Sequence, residues 1–288
     1  CNTVLLRSKD GGATFEPVEG DPTGDDFQRL WIDPEHPERR VIGADQGTIV
    51  SVDGGASWSS WYNQPTAQMY HVSVDDRFPY WVYGAQQDSG AAALPSRTTD
   101  GDGITMRHFT EVTAGGEADM IAPDPKDPQI VFGGRVDKLD LRTEQTRSVD
   151  PTIGYPGEQY RSVWTLPLVF SRRDPRVLYF ANQRLFRTDD GGEHWTVISP
   201  DLTREDPGVP PNLDESAAAN HLGIGPRRGV VYAVAPSRLA DKDLWVGTDD
   251  GKIWRTRDEG AHWSDVTPAG LIRIARPGLL DFVFFPVR

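Results

Sequence analysis

Four copies of one eight-residue pattern punctuate the chain, and nothing else in it limits the choice of fold so sharply. They are Ser8-Lys9-Asp10-Gly11-Gly12-Ala13-Thr14-Phe15, Ser51-Val52-Asp53-Gly54-Gly55-Ala56-Ser57-Trp58, Thr188-Asp189-Asp190-Gly191-Gly192-Glu193-His194-Trp195 and Thr256-Arg257-Asp258-Glu259-Gly260-Ala261-His262-Trp263. Each box reads Ser/Thr-x-Asp-x-Gly-x-x-aromatic and sits between short β-like runs, such as Arg184-Leu185-Phe186 before the third and Thr196-Val197-Ile198 after it. The physics is that of a hairpin. An Asp carboxylate accepts hydrogen bonds from turn N–H groups, Gly supplies positive φ, and the aromatic packs beside the preceding strand. Turn chemistry accounts fully for Asp10, Asp53, Asp190 and Asp258, so none of them is a catalytic candidate.

A second repeat runs out of phase with the first: apolar run, Asp/Pro-rich turn, apolar run, Gly. Leu30-Trp31-Ile32-Asp33-Pro34 leads to Val41-Ile42-Gly43, and Val72-Ser73-Val74-Asp75 to Val82-Tyr83-Gly84. Ile121-Ala122-Pro123-Asp124 leads to Val131-Phe132-Gly133, Leu168-Val169-Phe170 to Leu178-Tyr179-Phe180, and Val231-Tyr232-Ala233 to Leu244-Trp245-Val246-Gly247. Each pair reads as a hairpin, and the box hairpin after it completes a four-stranded unit. Asp53 follows Asp10 by 43 residues, Asp190 follows Asp53 by 137, and Asp258 follows Asp190 by 68. The middle gap is near three periods, so two units there have lost the box; the last is one period plus an insertion at about 200–228. A period of about 40–50 residues with four short strands is that of a propeller blade.

The expected fold is therefore all-β, a β-propeller of four-stranded antiparallel blades. Full units are expected at 27–62, 68–112, 116–149, 162–199 and 229–267, with a half unit at each end. Six blades are counted if the half units join, and seven are possible in a larger ring. The whole of 1–288 reads as a single propeller, or most of one, with the inserted loop at 200–228.

Charge narrows the partners. The chain carries a net charge of −13, which repels a phosphate backbone and an anionic membrane surface, so nucleic acid is not expected. No apolar run approaches the ~20 residues of a membrane span. The single cysteine, Cys1, permits no internal disulfide. It fits either the lipid-bearing first residue of a mature lipoprotein or a fragment boundary. The strand-like Val4-Leu5-Leu6-Arg7, with no polar tether before it, favours the boundary.

The boxes resemble those of the Asp-box (BNR-repeat) propellers, which include sialidases, xyloglucanase-type enzymes and sortilin-like receptors. Longer phrases narrow this: Tyr62-Asn63-Gln64-Pro65-Thr66-Ala67-Gln68-Met69-Tyr70-His71, Phe78-Pro79-Tyr80-Trp81-Val82-Tyr83-Gly84-Ala85-Gln86-Gln87-Asp88 and Ile198-Ser199-Pro200-Asp201-Leu202-Thr203-Arg204. From about Asn2 to Pro268 the chain is similar to the large secreted bacterial BNR-repeat proteins usually labelled glycosyl hydrolase. The resemblance implies the later propeller of a two-propeller protein, secreted or held in the periplasm or at the cell surface of a bacterium. It departs from that family at Gln28-Arg29, in place of a His-Asp pair, and at Ala44-Asp45-Gln46-Gly47, in place of Asn-Asp-Gly-Gly.

Two functions follow from different classes. One is carbohydrate chemistry. An inverting glycosidase needs two carboxylates about 6.5–9.5 Å apart across a cleft. Loops at the mouth of a propeller offer Asp88, in Gln86-Gln87-Asp88-Ser89-Gly90, and Glu117, in Gly115-Gly116-Glu117-Ala118-Asp119, as acid and base. Tyr70, His71, Gln86, Gln87, Arg161 and Trp164 join them as ligand-binding candidates, an amide, cation and aromatic mixture suited to a polar ligand. The blander readings are solvated loop carboxylates, interblade arginines, and core duty for Trp31, Trp61, Tyr62 and Trp81. The sialidase Arg-Ile-Pro signature is absent. The alternative function is a non-catalytic propeller of the sortilin-like type that binds protein or glycan. No cofactor is expected, and no metal: Ile104 breaks the calcium-loop hint of Asp100-Gly101-Asp102-Gly103, and the six histidines have no ligand spacing.

Overall fold

The computed structural model describes residues 4–20, 26–45, 47–60, 68–87, 90–205 and 229–268. They divide into two compact units, Cys1–Gln68 with Gln87–Ser89, and Met69–Gln86 with Gly90–Arg288. The described residues hold strands and two short 3₁₀ turns, with every sheet an antiparallel meander in chain order.

In the first unit β1 (Val4–Arg7) pairs with β2 (Glu16–Gly20) across the first box. Then β3 (Arg29–Ile32), β4 (Arg40–Ala44) and β5 (Gly47–Ser51) form a three-stranded sheet. The second box follows β5, and Ser59 beyond it donates its N–H to the Val50 carbonyl at 2.9 Å, the beginning of a fourth arm. Residues 61–67 of the expected unit, with Trp61 and Tyr62, lie outside the described residues.

The second unit holds four complete blades. They are β6 (Met69–Val74), β7 (Trp81–Gln86), β8 (Gly90–Pro95) and β9 (Thr110–Val112); then β10 (Ile121–Pro123), β11 (Ile130–Gly133), β12 (Asp137–Asp140) and β13 (Gln145–Ser148). The next are β14 (Leu168–Phe170), β15 (Leu178–Ala181), β16 (Leu185–Thr188) and β17 (Thr196–Val197); the last are β18 (Val231–Pro236), β19 (Leu244–Thr248), β20 (Ile253–Thr256) and β21 (Ser264–Asp265). First strands meet first strands: β10 packs on β6, β14 on β10 and β18 on β14. This is β-propeller architecture, and the four blades fall where the repeats put them. Six sheets are present among the described residues, four of them four-stranded.

The cores lie between blades. Phe132, Leu168, Leu178, Phe180 and Phe186 fill the space between the second and third blades of this unit, and Tyr179, Leu185, Leu244 and Val246 the next. Each fully buried side chain of this size contributes about 1.5–3 kcal/mol. The boxes reinforce the same seams. In all four, the Ser/Thr hydroxyl donates to the Asp carboxylate and accepts from the second glycine, while the Asp accepts the N–H four residues on. That fourth residue also donates its side chain: the hydroxyls of Thr14 and Ser57 at 2.6 Å, and Nδ1 of His194 and His262 at 2.7 and 2.6 Å. In the last two boxes the second glycine is then forced by contact as well as by φ. A Cβ on Gly192 would stand 2.8 Å from Val149, and one on Gly260 only 2.2 Å from the Ile198 carbonyl, both at the end of the preceding blade. The box tryptophans follow, with Trp195 donating to the Val149 carbonyl at 2.8 Å and Trp263 to that of Ile198 at 2.9 Å.

Candidate functional site

Strand direction sorts the loops of the second unit. Turns joining first to second strands lie at the box end, together with the boxes. Loops leading into first strands, and turns joining second to third, lie at the far end, and these carry most of the candidates. Of the two carboxylates assigned to catalysis, Asp88 lies outside the described residues. Glu117 is half-buried on the loop before β10.

The Glu117 loop is built from close contacts. Gly116 donates its N–H to Asp119 Oδ2 at 2.6 Å, closing a tight turn over Glu117 and Ala118. Gly133, at the end of β11, allows the Ala114 carbonyl to approach so closely that a Cβ would sit 1.7 Å from it. Desolvation raises the Asp119 carboxyl above its ordinary value, against the Gly116 bond and the Arg135 charge, which lower it. Thr165 then donates its hydroxyl to the Ala118 carbonyl at 2.6 Å. That bond joins the Glu117 loop to the loop of Trp164, whose side chain is 56% exposed. Glu117, Asp119 and Trp164 therefore belong to two adjoining loops.

Arg161, three residues before Trp164, is only 7% exposed. Its Nε donates to the Gly229 carbonyl at 2.8 Å, and its Nη2 to Asp201 Oδ2 at 2.6 Å and Thr203 Oγ1 at 2.8 Å. Its own N–H donates to Gln183 Oε1 at 2.9 Å. The guanidinium thus ties together the end of one blade and the beginning of the next, so its part in any site is to position loops. Two aspartates complete the tie. Asp249 Oδ1 accepts from Val230 N at 2.8 Å, and Asp250 Oδ2 from Arg204 N at 2.5 Å. Surrounding protein desolvates Asp249 and pushes its carboxyl up to about 6, against the Val230 bond. The residue still meets solvent, which tempers the rise without reversing it.

The other candidates are spread along the first blade of this unit. Tyr70 and His71 lie on β6, with Tyr70 36% exposed. His71 is half-buried, and its carbonyl lies 2.9 Å from where a Gly84 Cβ would sit. Gln86 ends β7, in register with Met69 and Gly90. Gln87 belongs to the first unit, where Gln68 donates to its side chain at 2.8 Å. Asp119, Asp201 and Asp249 were not singled out in the sequence. The available signal for Asp119 was its place three residues after Gly116, from which a carboxylate reaches back to that N–H; for Asp249 it was the Thr-Asp-Asp-Gly turn itself. Among the described residues no group of three or more His, Cys, Asp or Glu is placed to hold a metal, and no helix is long and apolar enough to cross a membrane.

No family model and no curated protein matches the sequence. Solved structures similar to it include YCF48 bound to D1 peptide, at 12% identity over 84% of this chain and 68% of that one, with a TM-score of 0.35. The extracellular domain of the putative one component system BT4673 from B. thetaiotaomicron shares 14% identity over 91% of this chain, with a TM-score of 0.44. That of the putative hybrid two component system BT3049 from B. thetaiotaomicron shares 12% over 93%, with a TM-score of 0.43. The chain spans about a third of the length of the last two, 34% and 35%.

Proposed function

We propose that this chain is an extracytoplasmic, bacterial Asp-box propeller that binds carbohydrate at the far end of its second-unit blades. We further place it as one propeller of a longer two-propeller protein. The observation that carries the binding reading is Trp164. A residue of this size, more than half exposed, stands on a loop anchored on both sides, by Arg161 before it and Thr165 after it. Flat aromatic faces on rigid loops stack on sugar rings, and a preorganised platform loses little entropy on binding. Glu117 and Asp119 on the adjoining loop supply acceptors for sugar hydroxyls. Trp164→Ala should abolish saturable binding in a glycan array followed by calorimetry, while moving stability by less than about 0.5 kcal/mol, as exposed substitutions do. Undiminished glycan binding by that variant would refute the assignment.

Hydrolysis is the second reading, and the Asp119 carboxyl favours it, since desolvation raises it above its ordinary value, the direction a general acid needs. Here Glu117 would serve as its partner, with Asp88 as the other candidate. Glu117→Gln and Asp119→Asn should each abolish turnover of any glycan that the chain cleaves and leave binding intact. Undiminished turnover in both variants would eliminate this pair.

A further inference from the structure

At the box end of the second unit, opposite Trp164, a cleft of about 350 Å³ opens between the third and fourth blades. Its walls come from the β14–β15 turn, the β18–β19 turn and the fourth box. We propose that this cleft is a second binding site, for a carboxylate-bearing sugar of the uronic-acid type.

Charge is the first argument. In a chain of net charge −13, the β14–β15 turn Ser171-Arg172-Arg173-Asp174-Pro175-Arg176-Val177 carries three cations against one anion. Within the cleft Arg176 is held by Asp174 through two bonds of 3.0 and 2.7 Å, and Arg173 pairs with Asp241. Lys242 lines the same cleft, is exposed, and makes no ion pair among the described residues. Arg172 and Arg238, on the same two turns, are exposed and likewise form no ion pair among the described residues. Lys242 stands in the lining itself, and Arg172 and Arg238 stand outside it on the turns that wall the cleft; three uncommitted cations so placed favour an anion.

The rest of the lining favours a sugar as the bearer of that carboxylate. Asp174, Asp241 and Glu259 offer acceptors for hydroxyl groups, and Val177 is the one aliphatic side chain in the lining. Tyr179 forms the floor at 1% exposure. Burial pushes its phenol up to about 12 while Arg187 donates to its oxygen, so the phenol keeps a proton to donate.

Glu259 gives an independent argument. The residue after the box aspartate is Gly11, Gly54 or Gly191 in the other boxes, at φ of 72, 75 and 73°, but Glu259 occupies the same left-handed conformation at φ 60°. A side-chain-bearing residue there costs about 1 kcal/mol. In two sister boxes a cation on the preceding blade reaches this position through the main chain: Arg7 donates to the Gly54 carbonyl at 3.0 Å and Lys138 to that of Gly191 at 3.2 Å. In the fourth box Arg187 is met instead by the Glu259 carboxylate at 2.9 Å. The seam did not require a side chain here, and the one present faces the cleft.

The test is titration of the full chain with glucuronate and galacturonate, followed by heteronuclear NMR, with glucose and acetate as control arms. Saturable binding of a uronate is expected, with perturbed amides on the two turns, and weaker binding in both controls. Lys242→Met and Arg172→Met/Arg238→Met are surface changes that leave the thermal midpoint in place. Lys242→Met should weaken uronate binding at least about tenfold, the loss of one charge-assisted bond, and the double variant by at least as much, whereas Trp164→Ala should not. No saturable uronate binding, equal binding of glucose, or full affinity in both sets of variants would overturn the proposal. Acetate binding as tight as a uronate would overturn its sugar half. Perturbation confined to the Trp164 loops would assign the ligand to the far end instead.

Discussion

Replacing Arg161 with Met is expected to loosen the joint between the last two blades, and the structure sets the size of the effect. Three side-chain bonds vanish: to the Gly229 carbonyl, Asp201 and Thr203, at 2.8, 2.6 and 2.8 Å. Removing one partner of a buried ion pair costs about 3–5 kcal/mol because a charge is left without compensation. Here Asp201 keeps two other donors, the N–H and hydroxyl of Thr203 at 2.9 and 2.6 Å, which places the loss at the lower end. Among the described residues no other donor reaches the Gly229 carbonyl, which adds to the cost. We therefore expect about 3 kcal/mol for Arg161→Met, and roughly half of that for Arg161→Lys, whose ammonium lacks the fork needed to span all three acceptors. A chain of two units need not unfold in one step, so the assay is native-state hydrogen exchange at the amides of Leu202, Thr203 and Val231. Asp201→Asn in the Arg161→Met background should cost less than it does alone. A loss below about 1 kcal/mol, or strict additivity of the two changes, would refute the reasoning.

Gly260→Ala should destabilise by more than about 3 kcal/mol because its Cβ would stand 2.2 Å from the Ile198 carbonyl. Gly12→Ala, at a similar φ of 94° but with nothing within 4 Å, should cost only about 1 kcal/mol; equal midpoint shifts in the two variants would remove interblade contact as the cause. The box carboxylates and Asp249 should show opposite pH dependence. Hydrogen bonds led by those of Thr14, Ser57 and the His262 N–H hold Asp10, Asp53 and Asp258 at about 2, below their ordinary value of 3.8. Their stabilisation is therefore complete above pH 3.8 and is lost as pH falls to about 2. Asp249 is raised, so its contribution is present below pH 3.8 and fades as pH rises towards about 6. Asp249→Asn should raise the thermal midpoint at pH 7.5 relative to the parent and lose that advantage at pH 4; a gain independent of pH would contradict this.

The fold was legible because its repeats are local. A box needs only eight residues to satisfy its own turn, so Asp190 and Asp258 announce the joints of β16–β17 and β20–β21 without help from distant sequence. Even the blades without boxes could be read, since Ile121–Pro123 and Ile130–Gly133 keep the apolar run, turn and glycine of the first hairpin. What the pattern did not reveal is why the second glycine of the last two boxes is fixed by more than its φ. Gly192 and Gly260 answer to Val149 and Ile198, residues 43 and 62 positions away that only the stacking of blades brings close.

The site was less legible, for the same physical reason. Arg161 looks in the sequence like a cation offered to a ligand, and its one near carboxylate, Glu158, pairs with Arg184 instead. Its partners, Asp201, Thr203 and Gly229, lie 40, 42 and 68 residues on. Trp164 is the reverse case: its exposure follows from its neighbours Arg161 and Thr165 being anchored, and no periodicity encodes that. Glu259 lies between these extremes. Its departure from Gly was visible in the aligned boxes, yet its meaning needed Arg187, 72 residues earlier, and the two cation-to-carbonyl contacts that show what an ordinary seam uses. In a chain built from repeats, the consensus reports the scaffold. Function is better sought where one copy keeps a costly exception, and Glu259→Gly separates the two roles. By restoring the ordinary residue it should relieve the backbone and leave the seam to a main-chain bond, so stability should fall by less than about 1 kcal/mol. A loss of several kcal/mol would make Glu259 a structural ion pair and nothing more.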